Sequence, residues 1–135
     1  MIKYLITTFV FWFVFTLYCN GQNITSLEKI EPNTVYENVH VKPIASNEQV
    51  TSFIIWVKTS VRKHKHIHHT ESVYILDGKA EMLLGEQTLN IQKGDYIFIP
   101  KGTPHAVIKV MGNKPLKVLS VQSPKFTGED RIFIE

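Results

Sequence analysis

The chain has 135 residues, which is the length of one domain. Its net charge at pH 7 is +3, and this excess is too small to indicate a nucleic-acid partner. Cys19 is the only cysteine, so the chain cannot form an internal disulfide.

The N-terminal segment has the pattern of a secretory signal peptide. Lys3 supplies one positive charge, and an uncharged, largely apolar run follows from Leu5 to Cys19. Small residues after this run predict cleavage after Gly21, which divides the chain into a signal peptide, 1–21, and a mature domain, 22–135. The run is shorter than the roughly 20 apolar residues that span a bilayer, so no stable membrane anchor is expected. We expect a secreted or periplasmic protein.

Cys19 offers an alternative, in which the mature protein is lipid-anchored. Tyr18 precedes this cysteine, whereas the residue before a lipidated cysteine is normally small, so plain cleavage is favoured. After cleavage the mature domain has no cysteine. It is therefore compatible with an oxidising compartment but would form no disulfide there. Its length allows one hydrophobic core without covalent cross-links.

Beyond residue 50 the apolar residues recur with period two, which indicates strands rather than helices. Turn pairs such as Asp77-Gly78 and Gly112-Asn113 separate the runs. Short strands at this spacing predict an all-β sandwich or barrel. The polar stretch Asn23–Asn38 is expected to be a lead-in with at most one turn of helix. The alternating runs are 53–57, 71–75, 80–84, 89–91, 96–99, 105–107, 118–120 and 131–134.

Four of the six histidines fall within Arg62–Thr70. Residues i and i+2 of a strand face the same side, so His64 and His66 share a face and can chelate one ion. Glu71, at the start of the next run, would make this a mixed nitrogen and oxygen site. His66 and His68 form a second pair of the same kind, so the pair alone leaves the register open.

The spacing beyond the pair is more specific. His64-x-His66 is followed by four residues, Glu71, six residues and Gly78. This resembles the first motif of the cupin superfamily, which is His-x-His, three or four residues, Glu, six residues and Gly. Only the His64/His66 register gives the family spacing, because His66/His68 leaves two residues before Glu71.

Fifteen residues separate Gly78, the end of this first motif, from a second pattern. Gly94 is followed by five residues, Pro100-x-Gly102, two residues and His105. This resembles the second cupin motif up to its last position, where Lys109 stands in place of the usual Asn. By strand parity Lys109 falls on the face of His105, but a strand-end lysine with its ammonium group in water is the favoured interpretation. The resemblance covers Lys58–Lys109 and is closest to small single-domain bacterial cupins with the type 2 conserved barrel.

The resemblance implies the cupin fold, an all-β double-stranded β-helix or jelly-roll barrel. It also implies that His64, His66, Glu71 and His105 converge on one divalent transition metal inside the barrel. Three imidazoles and one carboxylate suit Fe, Mn, Zn, Ni or Cu without selecting among them. Arg62 shares the parity of His64, and a position facing the cavity would favour an anionic substrate. An exposed arginine at the strand start is an equal alternative.

The fold does not choose the activity, because cupins include dioxygenases, isomerases, decarboxylases, lyases and binding proteins. One hypothesis is a metal-dependent enzyme, an isomerase, lyase or dioxygenase, acting on an unsaturated uronate, a keto acid or a diketone. The other is a non-catalytic, metal-dependent module that binds or senses a small molecule such as a sugar. The intact ligand set favours the enzyme. The expected partner is a small molecule rather than nucleic acid or a membrane, and a homodimer is left open.

Overall fold

Alternating apolar residues form ten antiparallel strands in the computed structural model, which describes residues 24–135. The predicted signal peptide, 1–21, and its cleavage site lie outside these residues. A single 3-10 turn, Leu27–Lys29, precedes the strands, as expected for the lead-in. The strands are β1 Val39–Ser46, β2 Thr51–Val57, β3 Val61–His66, β4 Thr70–Asp77, β5 Lys79–Leu84, β6 Gln87–Gln92, β7 Tyr96–Ile99, β8 His105–Met111, β9 Leu116–Ser123 and β10 Arg131–Phe133.

The strands make two five-stranded sheets. One has the order β1-β2-β9-β4-β7 and the other β10-β3-β8-β5-β6. Neighbouring strands are often distant in sequence, as in β4 with β9 and β3 with β8. The all-β prediction is confirmed. No helix in residues 24–135 is long and apolar enough to cross a bilayer.

The space between the sheets is apolar at one end and polar at the other. Along β4 the inward residues are Glu71, Val73 and Ile75, and the exposed fraction of Ile75 is 0%. Their partners on β9 are Gln122, Ser120 and Val118, in the same order. The polar pairs therefore lie at one end of the barrel, and the aliphatic core fills the other.

A β-bulge in β8 corrects the parity expected for Lys109. Glu81 pairs with Lys109, but Met82 pairs with Val107, so β8 has one extra residue at this point. The bulge reverses the alternation after Val107. Lys109 is exposed, and Val110 takes the inward position in the core. Lys109 therefore does not share the inward face of the metal-site residues.

The lead-in is held against the outer face of the first sheet by a buried lysine. Lys117 on β9 is 8% exposed and lies near the ring of Trp56. Its Nζ donates hydrogen bonds to the carbonyl oxygens of Glu28, at 3.2 Å, and Ile30, at 2.7 Å. These bonds satisfy the buried ammonium group.

The turn between β4 and β5 is a sensitive point of the fold. Gly78 has φ +84°, and a Cβ there would lie 2.7 Å from the carbonyl oxygen of Pro115. We expect Gly78→Ala to lower the free energy of unfolding by about 3 kcal/mol, from backbone strain plus this clash. Gly85→Ala is the control, because Gly85 has φ +61° but no atom within 4 Å of the added Cβ. Urea unfolding should show a clearly smaller loss for the control, and equal losses would contradict the clash.

Candidate metal centre

Three strands bring the four predicted ligands together at the polar end of the barrel. His64 and His66 lie on β3, Glu71 on β4 and His105 on β8, and all four are buried. His64 is paired directly with His105 across the strands, and their ring centroids are 4.2 Å apart. One ring nitrogen from each histidine lies within 4.8 Å of the others, a spacing at which one ion can be shared.

Backbone carbonyls orient two of the imidazoles. His64 Nδ1 donates to the carbonyl oxygen of Arg62 at 2.7 Å, and His105 Nδ1 donates to that of Thr103 at 3.0 Å. A carbonyl only accepts, so Nδ1 carries the proton and Nε2 of the neutral ring keeps its lone pair. Such hydrogen bonds fix the tautomer and orientation of metal-binding histidines.

Glu71 presents one oxygen to the histidines and uses the other for anchoring. Its Oε2 lies 3.4 Å from His105 Nε2 and 3.6 Å from His66 Nε2. Its Oε1 accepts hydrogen bonds from Ser120 Oγ and, at 3.5 Å, from Gln122 Nε2. Burial alone would raise the pKa of Glu71, but His105, His66 and Ser120 hold this pKa well below its usual range. The carboxylate is therefore ionised at neutral pH.

The donor set fits a metal cation because several of its buried atoms have no other partner. Within residues 24–135, His66 Nδ1, His66 Nε2 and His105 Nε2 are buried without a hydrogen bond. A buried polar atom left without a partner costs about 1–3 kcal/mol. A divalent ion would accept one lone pair from each of the two rings, together with the carboxylate charge. His68, the alternative of the second pair, is exposed and lies outside this group.

Three of the four predicted ligands lie at the wall of a cavity of about 320 Å³. His64, Glu71 and His105 contribute to the lining. Arg62 also lines the cavity and is exposed, and its guanidinium carbon lies 4.5 Å from the ring centroid of Phe133. Most of the remaining wall is apolar and includes Val57, Val73, Ile75, Ile99, Leu116 and Val118.

A second buried cluster was not anticipated from the sequence. Asp130 accepts hydrogen bonds from the backbone amides of Ile67, His68 and His69 and from Nδ1 of the His69 ring. His69 Nε2 is bonded in turn to the carbonyl oxygen of Lys125 at 2.9 Å. Both ring nitrogens of His69 are thus engaged by oxygen atoms of the protein. We call this group, Asp130 with His69 and the turn amides, the Asp130 clasp.

The clasp supports the metal centre from behind. Asp130 Oδ2 lies 3.8 Å from His66 Nδ1, and the turn that it holds joins β3 to β4. Burial would raise the pKa of Asp130, but the His69 ring and the turn amides hold that pKa below its usual value. A lone acid just before the last strand gives no periodic signal, so the sequence offered no clue to it.

Comparison with known proteins agrees with this arrangement. Residues 52–122 match the family model described as the cupin domain. The chain is a cupin. Protein MJ1618 of Methanocaldococcus jannaschii is 33% identical over 108 residues, which are 80% of this chain and 79% of that protein.

Solved structures confirm the jelly-roll fold. A Klebsiella pneumoniae protein with a double-stranded β-helix domain superposes with a TM-score of 0.70 and 18% identity, covering 85% of this cupin and 99% of that chain. KdgF from Halomonas sp. gives a TM-score of 0.66 and 17% identity, covering 79% of this cupin and 97% of KdgF. At these identities the likeness concerns the fold.

Acid should destabilise the metal-free cupin through His64. Burial lowers the pKa of this ring to about 4, with smaller contributions from His105 and Arg131, whereas the bond to the Arg62 carbonyl opposes the shift. The unfolded chain regains a histidine pKa of about 6.5 and so binds more protons between these values, which means that stability falls as pH drops from about 6.5 to about 4.

The free energy of unfolding should depend less steeply on pH in His64→Asn. The slope should fall by up to roughly 1.4 kcal/mol per pH unit, which is the contribution of one bound proton. Urea unfolding across that pH range, with a chelator present, measures the slope. His68→Asn is the matched control, since His68 is exposed and should leave the slope unchanged. An unaltered slope in His64→Asn would contradict the argument.

Removing the carboxylate of the clasp should also destabilise the fold. Asp130→Ala leaves three turn amides and the buried His69 ring without their acceptor, and we expect a loss of about 3–5 kcal/mol in the free energy of unfolding. The exposed neighbour Glu129 provides the control, because Glu129→Ala should change stability by less than about 0.5 kcal/mol. Chelator-treated samples keep metal loss out of the comparison. Similar values for both variants would show that the clasp does not stabilise the turn.

Proposed function

We propose that this cupin is a metal-dependent enzyme acting on a small oxygen-bearing molecule, with an anionic substrate such as an unsaturated uronate or a keto acid favoured. One observation carries the proposal. Three buried imidazoles have ring nitrogens within 4.8 Å of one another, and the ionised carboxylate of Glu71 lies beside two of them, at the wall of a solvent-connected cavity. A mainly apolar cavity with a few placed polar groups is the usual form of a small-molecule site.

His64, His66, Glu71 and His105 would hold the metal. A metal with an exchangeable position would supply Lewis acidity or an oxygen-binding site, and the ligand set suits Fe, Mn, Zn, Ni or Cu. The chain itself keeps the ligands in place through the carbonyl oxygens of Arg62 and Thr103 and through the hydroxyl of Ser120.

The remaining cavity residues would bind and orient the substrate. The aliphatic wall excludes water from the bound molecule, and Arg62 at the mouth offers a cation to an anionic group. Within residues 24–135 the lining contains no carboxylate or imidazole besides those of the proposed ligands. Glu71 Oε1 is already engaged by Ser120, so no free side-chain base faces the substrate. Proton transfer would therefore use solvent.

The metal assignment is tested first. After anaerobic reconstitution with Fe, Mn, Ni or Zn, elemental analysis should find about one ion per chain. His64→Ala removes a ligand and should weaken metal affinity by at least about 100-fold, since even outer-shell changes cost 10–100-fold. His68→Ala is the control: His68 lies in the turn after β3 and is exposed, so this change should leave metal affinity unchanged. No bound metal, or equal losses in the two variants, would overturn the assignment.

Catalysis is tested separately with the metal-loaded protein. Uronates, keto acids and diketones form the substrate screen, and any turnover should be altered by Glu71→Gln, which removes the only anionic ligand. Ser72→Ala is the control for β4, since Ser72 lies on the opposite face of that strand. Tight carboxylate binding to the metal without turnover across the screen would instead favour the non-catalytic binding module.

A further inference from the structure

The last strand places a second arginine at the cavity mouth. β10 pairs antiparallel with β3, with Arg131 opposite His66 and Phe133 opposite His64. Directly paired residues on neighbouring strands share a face of the sheet. Arg131 and Phe133 therefore lie on the inward face that carries the proposed ligands, and both line the cavity.

Arg62 lies at the same mouth. A β-bulge between Val61 and His64 interrupts the alternation of β3, so strand parity does not give the face of Arg62. Its position follows from two contacts: Arg62 lines the cavity, and its guanidinium lies over the ring of Phe133. Stacking on an aromatic ring holds a guanidinium in a fixed plane while its N–H groups stay available at the edge. Arg62, Phe133 and Arg131 all line the same cavity.

Neither arginine has an acidic partner. Among the residues that the structure describes, no carboxylate lies within 4.0 Å of the Arg62 or Arg131 guanidinium. The lining of the cavity has one negative charge, Glu71, which faces the histidines. The mouth is consequently an uncompensated positive site, and a ligand that neutralises it would be an anion.

We infer that Arg131 and Arg62 form a two-arginine rim that binds the carboxylate of a small organic acid. This inference deepens the proposed function by naming the substrate class and a second specificity-determining residue. A guanidinium offers paired N–H donors that match the two oxygens of a carboxylate. With the carboxylate at the rim, the apolar wall would accommodate the body of the acid, and its oxygen-bearing end would reach the metal centre. Among residues 24–135, Asn38 and Ser60 are the neutral polar residues of the lining.

Calorimetric titration of the Zn-loaded full-length protein with matched ligands tests the rim. The pairs are galacturonate with galactose and pyruvate with acetone, which differ in the carboxylate, and inorganic phosphate is the competing anion. At least one carboxylate should bind about 10–100-fold more tightly than its neutral partner, as expected for charge-assisted hydrogen bonds. Arg131→Gln and Arg62→Gln should each remove at least about 10-fold of this preference without changing metal content.

Two further variants separate the rim from general effects. Arg131→Lys keeps the positive charge but loses the paired N–H donors of the guanidinium, so it should retain only part of the preference for the carboxylate ligand. Lys65→Gln removes a cation from the opposite face of the same strand pair and should leave binding unchanged. The inference is wrong if no carboxylate is preferred, if phosphate binds most tightly, or if Lys65→Gln matches Arg131→Gln.

The same titrations on chelator-treated protein distinguish the two proposals. Arginine-dependent carboxylate binding in the chelator-treated protein would support the rim independently of the metal, whereas failure to hold a metal after reconstitution would refute the metal-dependent function and leave the rim standing. A protein that holds one metal ion but binds carboxylates equally well in wild-type and Arg131→Gln forms would refute the rim alone.

Discussion

The cross-strand pairing of His64 with His105 is the contact on which the site depends. It brings two imidazoles from distant parts of the chain to a ring-centroid distance of 4.2 Å inside a barrel whose interior is otherwise mostly aliphatic. Their Nδ1 atoms are taken up by backbone carbonyls, so their Nε2 atoms face inward. Glu71 completes the group from the opposite sheet, and its second oxygen is held by Ser120. The interior therefore gathers lone pairs and one buried negative charge, which is an environment suited to a cation.

The strand content and the composition of this group were predictable because both depend on local periodicity and spacing. Inward positions on β3 and β4 follow directly from period two, and only one histidine register gives the spacing to Glu71. The strand parity expected for Lys109 was wrong because a bulge inserted one residue into β8 and reversed the alternation beyond it, whereas the favoured interpretation of a lysine in solvent agrees with its exposure. A bulge depends on how two strands pair, and a single strand's sequence does not specify that.

The contributions of the C-terminal segment could not be predicted for a related reason. Asp130 and Arg131 are adjacent in sequence but serve different surroundings, one buried under the β3–β4 turn and the other at the cavity mouth. Their roles follow from the pairing of β10 with β3, across more than sixty residues of chain. The clustering of histidines drew attention to β3, whereas its partner strand has no comparable motif.

The three-residue strand β10 lies at the edge of its sheet and pairs with β3 alone. The aliphatic core and the proposed ligands come from residues that precede Asp130, so the barrel does not rely on Arg131 or Phe133 for its packing. Substitutions in this edge strand can accumulate without disturbing the interior. Divergence between gene copies could thus exchange the groups that meet an incoming molecule while the metal-site residues and barrel persist, a modular route to new substrate preferences within one scaffold.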